Sequence, residues 1–285
     1  MLLLVLALGS SWVAAANDRL LFYGIKTERA QVWLLGSMHL ARPDIYPLRE
    51  KIMSAFASAD SLVVEVDIGG GNQLAIQQRM LEMGTYPAGK TIREELSART
   101  WSQLESRLQT SGLPPFMFEQ MKPGLVVTTL TTMELMKLGL SPELGIDGHF
   151  LAMARGQKRI VELETIDDQL SLLLDIDNAE LLVKQTLYQM DTLEASMNKL
   201  VRKWKAGDTD GLRKLVLDDE LRSHPEFRPL QKRMFDDRNR AMTDGIVKLQ
   251  RSGGTHFVVV GAGHLLGDQG IIALLQKRGQ QPRQL

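Results

Sequence analysis

Gln31-Val32-Trp33-Leu34-Leu35-Gly36-Ser37-Met38-His39-Leu40 and Phe257-Val258-Val259-Val260-Gly261-Ala262-Gly263-His264-Leu265 share one design near opposite ends of the chain. Each is an apolar run that reads as a buried strand, followed by Gly-x-x-His-Leu. A glycine at that point is expected to let the chain turn sharply off the strand, leaving the histidine at the strand's carboxyl end. Sites in α/β folds form at such ends. The chain has only five histidines, and two stand in these matched contexts, so the pattern predicts a shared site formed when the strands lie side by side.

Working outward, Leu20 to Ile25 and Val32 to Leu35 read as a hairpin. Pro43-Asp44 is expected to open a helix through Ile45, Leu48, Ile52, Phe56 and Ala59, and Leu62 to Asp67 returns as a strand. At the other end, the second motif leads through Gly267 to Gly270 into a helix from Ile271 to Lys277. Between the ends, residues 73–150 and 170–250 read as helical layers, interrupted by a strand from Arg159 to Glu164. One helix is expected from Asn178 to Lys205 and another from Phe227 to Leu249. The expected fold is α/β (α+β): a central mixed sheet built from the N- and C-terminal strand-Gly-x-x-His-helix units, with a large helical insertion packed over it. The 14 methionines scattered through the helices read as adaptable core filler.

Residues 2–8 are entirely apolar and lead to Ala14-Ala15-Ala16, the layout of a signal peptide's apolar segment and cleavage site. The run is too short to span a bilayer core of about 30 Å. Residues 1–16 are therefore expected to be a signal peptide and residues 17–285 one domain, exported to the periplasm or cell envelope. Membrane association would come only through an uncleaved N-terminus. The 34 basic and 34 acidic residues cancel, leaving no electrostatic footprint for nucleic acid. A peptide or small-molecule substrate is the expected partner; the sequence leaves the oligomeric state open. With no cysteine, any metal must be held by His, Asp or Glu.

Glu65 lies between Val64 and Val66, and a carboxylate in an apolar strand needs a partner such as a histidine, an arginine or a metal. Two imidazoles and a carboxylate can hold a divalent ion with positions left for water and substrate, or activate water without one. Asp147, following Gly145-Ile146, is a candidate supporting group or ligand, and otherwise a helix cap. Glu164 at a strand end is a second supporting candidate. Arg238 is a candidate to grip Glu65 or a substrate carboxylate in a two-point contact. His149, His224 and His256 read as structural or exposed. Gly69-Gly70-Gly71 and Gly253-Gly254 read as turns without nucleotide-binding spacing, and no serine stands in a nucleophile elbow.

The ordered set Gly36-Ser37-Met38-His39, Val64-Glu65-Val66-Asp67, Gly145-Ile146-Asp147, Leu163-Glu164-Thr165 with Gln169, Arg238-Asn239 and Val260 to Gly267 resembles the TraB/GumN family. That family is related to the Tiki metalloproteases and, more distantly, to erythromycin-esterase-like and ChaN-like folds. The resemblance implies a divalent-metal-dependent hydrolase, in the Tiki branch a peptidase, using His39, His264 and Glu65. Manganese, cobalt and zinc are the candidate ions. Two alternatives stay open: a metal-independent His/Glu esterase-type hydrolase, and a non-catalytic envelope protein that binds a ligand such as haem.

Overall fold

The computed structural model describes residues 19–69 and 73–285. The proposed signal segment and Gly70-Gly71-Asn72 lie outside the described residues. The strands are β1 (Phe22–Lys26), β2 (Ala30–Ser37), β3 (Ser61–Val64), β4 (Arg159–Glu162), β5 (Gly254–Gly261) and β6 (Arg283–Gln284). They form one mixed sheet in the order β4-β3-β5-β2-β1-β6. The expected hairpin is present: β1 runs antiparallel to β2, with Phe22 opposite Leu35. The four strands β4, β3, β5 and β2 are mutually parallel. Parallel strands are covered on both faces, which explains their unbroken apolar runs. Phe257, Val258, Val259 and Val260 are all completely buried.

The helices are α1 (Glu50–Ser58), α2 (Gln73–Gly84), α3 (Ala98–Thr110), α4 (Pro123–Lys137), α5 (Ile146–Ala154), α6 (Ile166–Leu174) and α7 (Ala179–Met190). Then follow α8 (Leu193–Ala206), α9 (Thr209–Arg213), α10 (Asp219–Ser223), α11 (Arg228–Gln231), α12 (Asp237–Ser252) and α13 (Ile271–Lys277). Two π-helical turns, Lys214–Asp218 and Lys232–Asp236, sit between α9 and α10 and between α11 and α12. Phe56 of α1 and Phe150 of α5 converge on Phe257 of β5, at 5.5 and 4.8 Å between ring centroids, and anchor the sheet's core. A second apolar cluster joins α3, α4 and α7 through Trp101, Leu104, Val126, Leu130 and Val183. The helical insertion thus has a core of its own beside the sheet.

Several local expectations change. β3 ends at Val64 and β4 at Glu162, so Glu65 and Glu164 stand just past their strands rather than within them. Pro43 opens only a three-residue 3-10 turn, and α1 starts at Glu50, because Pro47 has no amide hydrogen to continue a helix. The long helix from Asn178 breaks at Asp191-Thr192 into α7 and α8. The helix expected from Phe227 starts as α11 at Arg228 and passes through a π turn before α12. No helix among the described residues is long and apolar enough to cross a membrane.

Candidate functional site

β2 and β5 are direct neighbours in register, with Gly36 opposite Val260 and Ser37 opposite Gly261. Both Gly-x-x-His segments therefore leave the sheet at the same edge. The glycines serve a different purpose from the expected turn: Gly36 and Gly261 are still within their strands. What they supply is room. A Cβ at Gly36 would lie 3.0 Å from both Leu21 Cβ and Leu265 Cδ1. A Cβ at Gly261 would meet Glu65 Oε1 at 3.3 Å, His39 Nε2 at 3.4 Å and His264 Cδ2 at 3.4 Å. The two histidines and Glu65 thus converge over the bare backbone of Gly261.

Each imidazole is held by its Nδ1. His264 Nδ1 lies 2.7 Å from Asn239 Oδ1, and Asn239 Nδ2 donates to the Gln269 carbonyl at 2.9 Å. With the amide nitrogen so committed, Asn239 Oδ1 must accept, so His264 carries its hydrogen on Nδ1 and leaves the Nε2 lone pair free. That Nε2 is 3.6 Å from Glu65 Oε1. His39 Nδ1 donates to Asp147 Oδ2 at 2.9 Å, and Ser37 Oγ donates to Asp147 Oδ1 at 2.8 Å. Asp147 reaches this point because α5 begins against the first motif. The Ile146 amide donates to the Met38 carbonyl at 3.0 Å, and any side chain at Gly145 would collide with the His39 carbonyl. Asp147 is therefore a buried imidazole anchor rather than a helix cap.

Glu65 follows β3, and its carboxylate accepts three hydrogen bonds. The Gly261 amide donates to Oε1 at 2.6 Å, and Arg238 Nη2 and Gln169 Nε2 donate to Oε2 at 2.6 and 3.0 Å. Arg238 also grips Glu164 in a two-point contact, Nε to Oε1 at 2.7 Å and Nη2 to Oε2 at 2.6 Å. Its guanidinium is committed to these two carboxylates, which are 7 and 9% exposed. Burying such a charge set is tolerable only because every member is paired.

The proton affinities of the two imidazoles are driven apart. His264 is pushed down to about 4, chiefly by burial, with Glu65 pulling the other way and Arg238 adding to the depression. His39, whose side chain is 59% exposed, is raised to about 9, chiefly by the Asp147 carboxylate. Burial acts to raise Asp147, but the His39 charge and the hydrogen bonds from His39 and Ser37 hold it below the usual carboxylate range. Glu164 is likewise lowered against burial, by Arg238 and Gln169.

All the residues singled out from the sequence, His39, Glu65, Asp147, Glu164, Arg238 and His264, meet at this edge. Ser37, Gln169 and Asn239 are the supporting groups that residue reading did not assign. Successive helical positions point about 100° apart, and Arg238-Asn239 uses this to serve Glu65 with one side chain and His264 with the next. The other histidines stand elsewhere. His256 bonds Ser61 Oγ at 2.8 Å, His149 packs at a tilt against Tyr46, and His224 bonds Glu226 at 3.0 Å. Among the described residues, no group of three or more His, Cys, Asp or Glu side chains stands positioned to hold a metal ion.

Comparisons with known proteins identify the family. The chain is 25% identical over 245 residues to an uncharacterized protein of Escherichia coli (strain K12), YbaP, covering 85% of this chain and 87% of that protein. It is 23% identical over 273 residues to an uncharacterized protein of Treponema pallidum (strain Nichols), covering 90% of this chain and 80% of that one. No solved structure matches it significantly. Residues 21–284 match the TraB/PrgY/gumN family, and the chain belongs to it.

Proposed function

We propose that this protein is an exported hydrolase of peptide or related amide bonds, working at His39, His264 and Glu65 with a divalent metal ion. The observation that carries the reading is the pair of imidazoles anchored through Nδ1, whose Nε2 atoms are turned toward Glu65 beside Gly261. Metal-binding histidines are oriented in this way by a carboxylate or amide behind them. The charges also suit a cation: Glu65 and Glu164 share one guanidinium, Arg238, and a third carboxylate, Asp147, stands behind His39. Glu65 Oε1 accepts a single hydrogen bond, from the Gly261 amide, and so keeps a lone pair. The donor types therefore fit, with His39, His264 and Glu65 as the residues that would hold the ion. Once bound, it would acidify a water molecule and polarise the scissile carbonyl.

The chain's own groups have distinct tasks. Asp147, assisted by Ser37, orients His39, and Asn239 orients His264. Arg238 and Gln169 fix the Glu65 carboxylate with Oε1 toward Gly261, where it would face the ion. Arg238 is a positioning group here, since Glu65 and Glu164 already occupy it. Export is supported by the apolar residues 2–8 and the alanines at 14–16.

A second reading, hydrolysis without metal, is favoured by the opposed proton affinities of the histidines. Groups whose environments separate their pKa values make an acid and base pair. His39, raised to about 9, would donate to the leaving group, while neutral His264 and Glu65 would take the proton of water.

The test is to incubate purified residues 17–285 with a defined peptide mixture, in chelator and with manganese, cobalt or zinc, and to identify new termini by mass spectrometry. Cleavage that needs metal and is lost in H264A and E65Q is expected. Cleavage in chelator that is lost in both variants favours the second reading. Cleavage indifferent to both variants, or none under any condition, overturns the proposal.

A further inference from the structure

Beside the site lies a cavity of about 290 Å³ between α4, α6, α7 and the two π-helical turns. We infer that it receives one apolar side chain of the substrate, next to the scissile bond; this rests on the hydrolase reading above.

Both long walls of the cavity lead from the site. On α6, Gln169 holds Glu65, and Leu173, four residues on and on the same helix face, lines the cavity. On the opposite wall, Arg238 holds Glu65 and donates from Nη1 to the carbonyl of Met234, which also lines the cavity. One helical turn, about 5.4 Å along the axis, separates Gln169 from Leu173, so the cavity lies one turn beyond the residue that holds the carboxylate. Phe235 is the partition: its ring centroid is 5.3 Å from that of His264, and it also lines the cavity.

The lining chemistry selects against charge. Leu173, Ile176, Val216, Met234 and Phe235 border the space and are only half-buried, as a filled core would not leave them. The two charged groups that line it are already paired. Arg233 Nη2 donates to the carbonyls of Ser171 and Asp175 at 3.0 and 2.6 Å. Glu220 accepts from Gln185 and Gln189 at 3.0 and 2.8 Å. A volume near the lower end of ligand pockets, roughly 300 to 1,000 Å³, suits a leucine, methionine or phenylalanine side chain rather than a whole large ligand.

A second, independent feature points to the same place. π-helical turns are uncommon and are frequently found at functional sites. The two among the described residues both border this cavity, through Val216 in one and Arg233, Met234 and Phe235 in the other.

The experiment uses a peptide series varied at one position at a time around the cleaved bond, with wild type, Thr128→Phe, which narrows the cavity, and Leu173→Ala, which widens it. Thermal melts confirm that both variants fold. Wild type should prefer leucine, methionine or phenylalanine over glycine or aspartate at one adjacent position by about tenfold or more in kcat/KM. Thr128→Phe should shift that preference to alanine and glycine, with small-residue peptides cleaved about as well as by wild type, and Leu173→Ala should shift it toward phenylalanine and tryptophan. Hydrolysis with no such preference, or a preference unmoved by both variants, overturns the subsite and leaves the hydrolase reading standing. Ligand-observed NMR with N-acetyl-leucinamide and N-acetyl-glycinamide supplies a readout independent of turnover. Selective saturation of the leucine methyls, lost in Thr128→Phe, is expected. Its absence overturns the subsite whether or not peptides are cleaved.

Discussion

His264 Nδ1 and Asn239 Oδ1 are 2.7 Å apart, and because the Asn239 amide nitrogen is committed to Gln269, this one contact fixes which imidazole nitrogen faces Glu65. Asn239→Ala frees the ring to change tautomer and rotate. Loss of such an orienting partner typically lowers metal affinity or activity by about 10- to 100-fold. The expected result is a fall of that size in kcat/KM with a near-normal melting temperature, and a two-bond 1H-15N spectrum showing mixed His264 tautomers. A single unchanged tautomer would remove this role from Asn239.

Arg238 holds two buried carboxylates together. Arg238→Met leaves Glu65 and Glu164 sharing one space without a counter-charge, and breaking a buried ion pair in this way costs about 3 to 5 kcal/mol. Urea denaturation should show that loss. Arg238→Lys restores charge without the two-point grip and should recover only part of it. A loss below about 1 kcal/mol in Arg238→Met would match a solvated helix face instead.

Acid stability follows from His264. Its folded-state pKa of about 4 lies below the ordinary 6.5, so between these values the unfolded chain binds a proton that the folded chain excludes. The His264 contribution to stability is therefore fully present above about 6.5, falls as pH drops toward 4, and levels off below it, with a span on the order of 3 kcal/mol. In chelating buffer, denaturation curves for His264→Gln should lose most of this slope in the pH 4 to 6.5 window. The same slope in wild type and variant would show that His264 is not held neutral by burial.

The two motif glycines should separate by effect. Gly36→Ala forces a Cβ to 3.0 Å from Leu21 and Leu265 and should cost about 1 to 3 kcal/mol in stability. Gly261→Ala places its methyl among Glu65, His39 and His264, so it should lower activity more than stability. Paired melting and activity measurements decide this. Equal effects of the two substitutions would contradict it.

Much of this site was legible because strand ends and helix periodicity are local signals. The buried runs around Val32 to Leu35 and Phe257 to Val260, each ending in Gly-x-x-His, indicated two strand ends side by side, and the sheet register places them as parallel neighbours. The isolated Glu65 asked for a partner and has Arg238. What stayed hidden depends on contacts between distant segments. Ser37 gains its meaning from Asp147, and Asn239 from His264, across separations of 110 and 25 residues. The glycines' real task, leaving space for groups from other segments, likewise has no local trace. The break between α7 and α8 was masked because apolar positions continue on either side of Asp191-Thr192.

The central claim is that His39 and His264 are two halves of one metal-binding site. Metal content by mass spectrometry, after equilibration with manganese, cobalt or zinc and removal of free ion, tests it most directly. The account predicts about one ion per wild-type chain, lost in both His39→Ala and His264→Ala. Stoichiometric metal that survives both substitutions would contradict it.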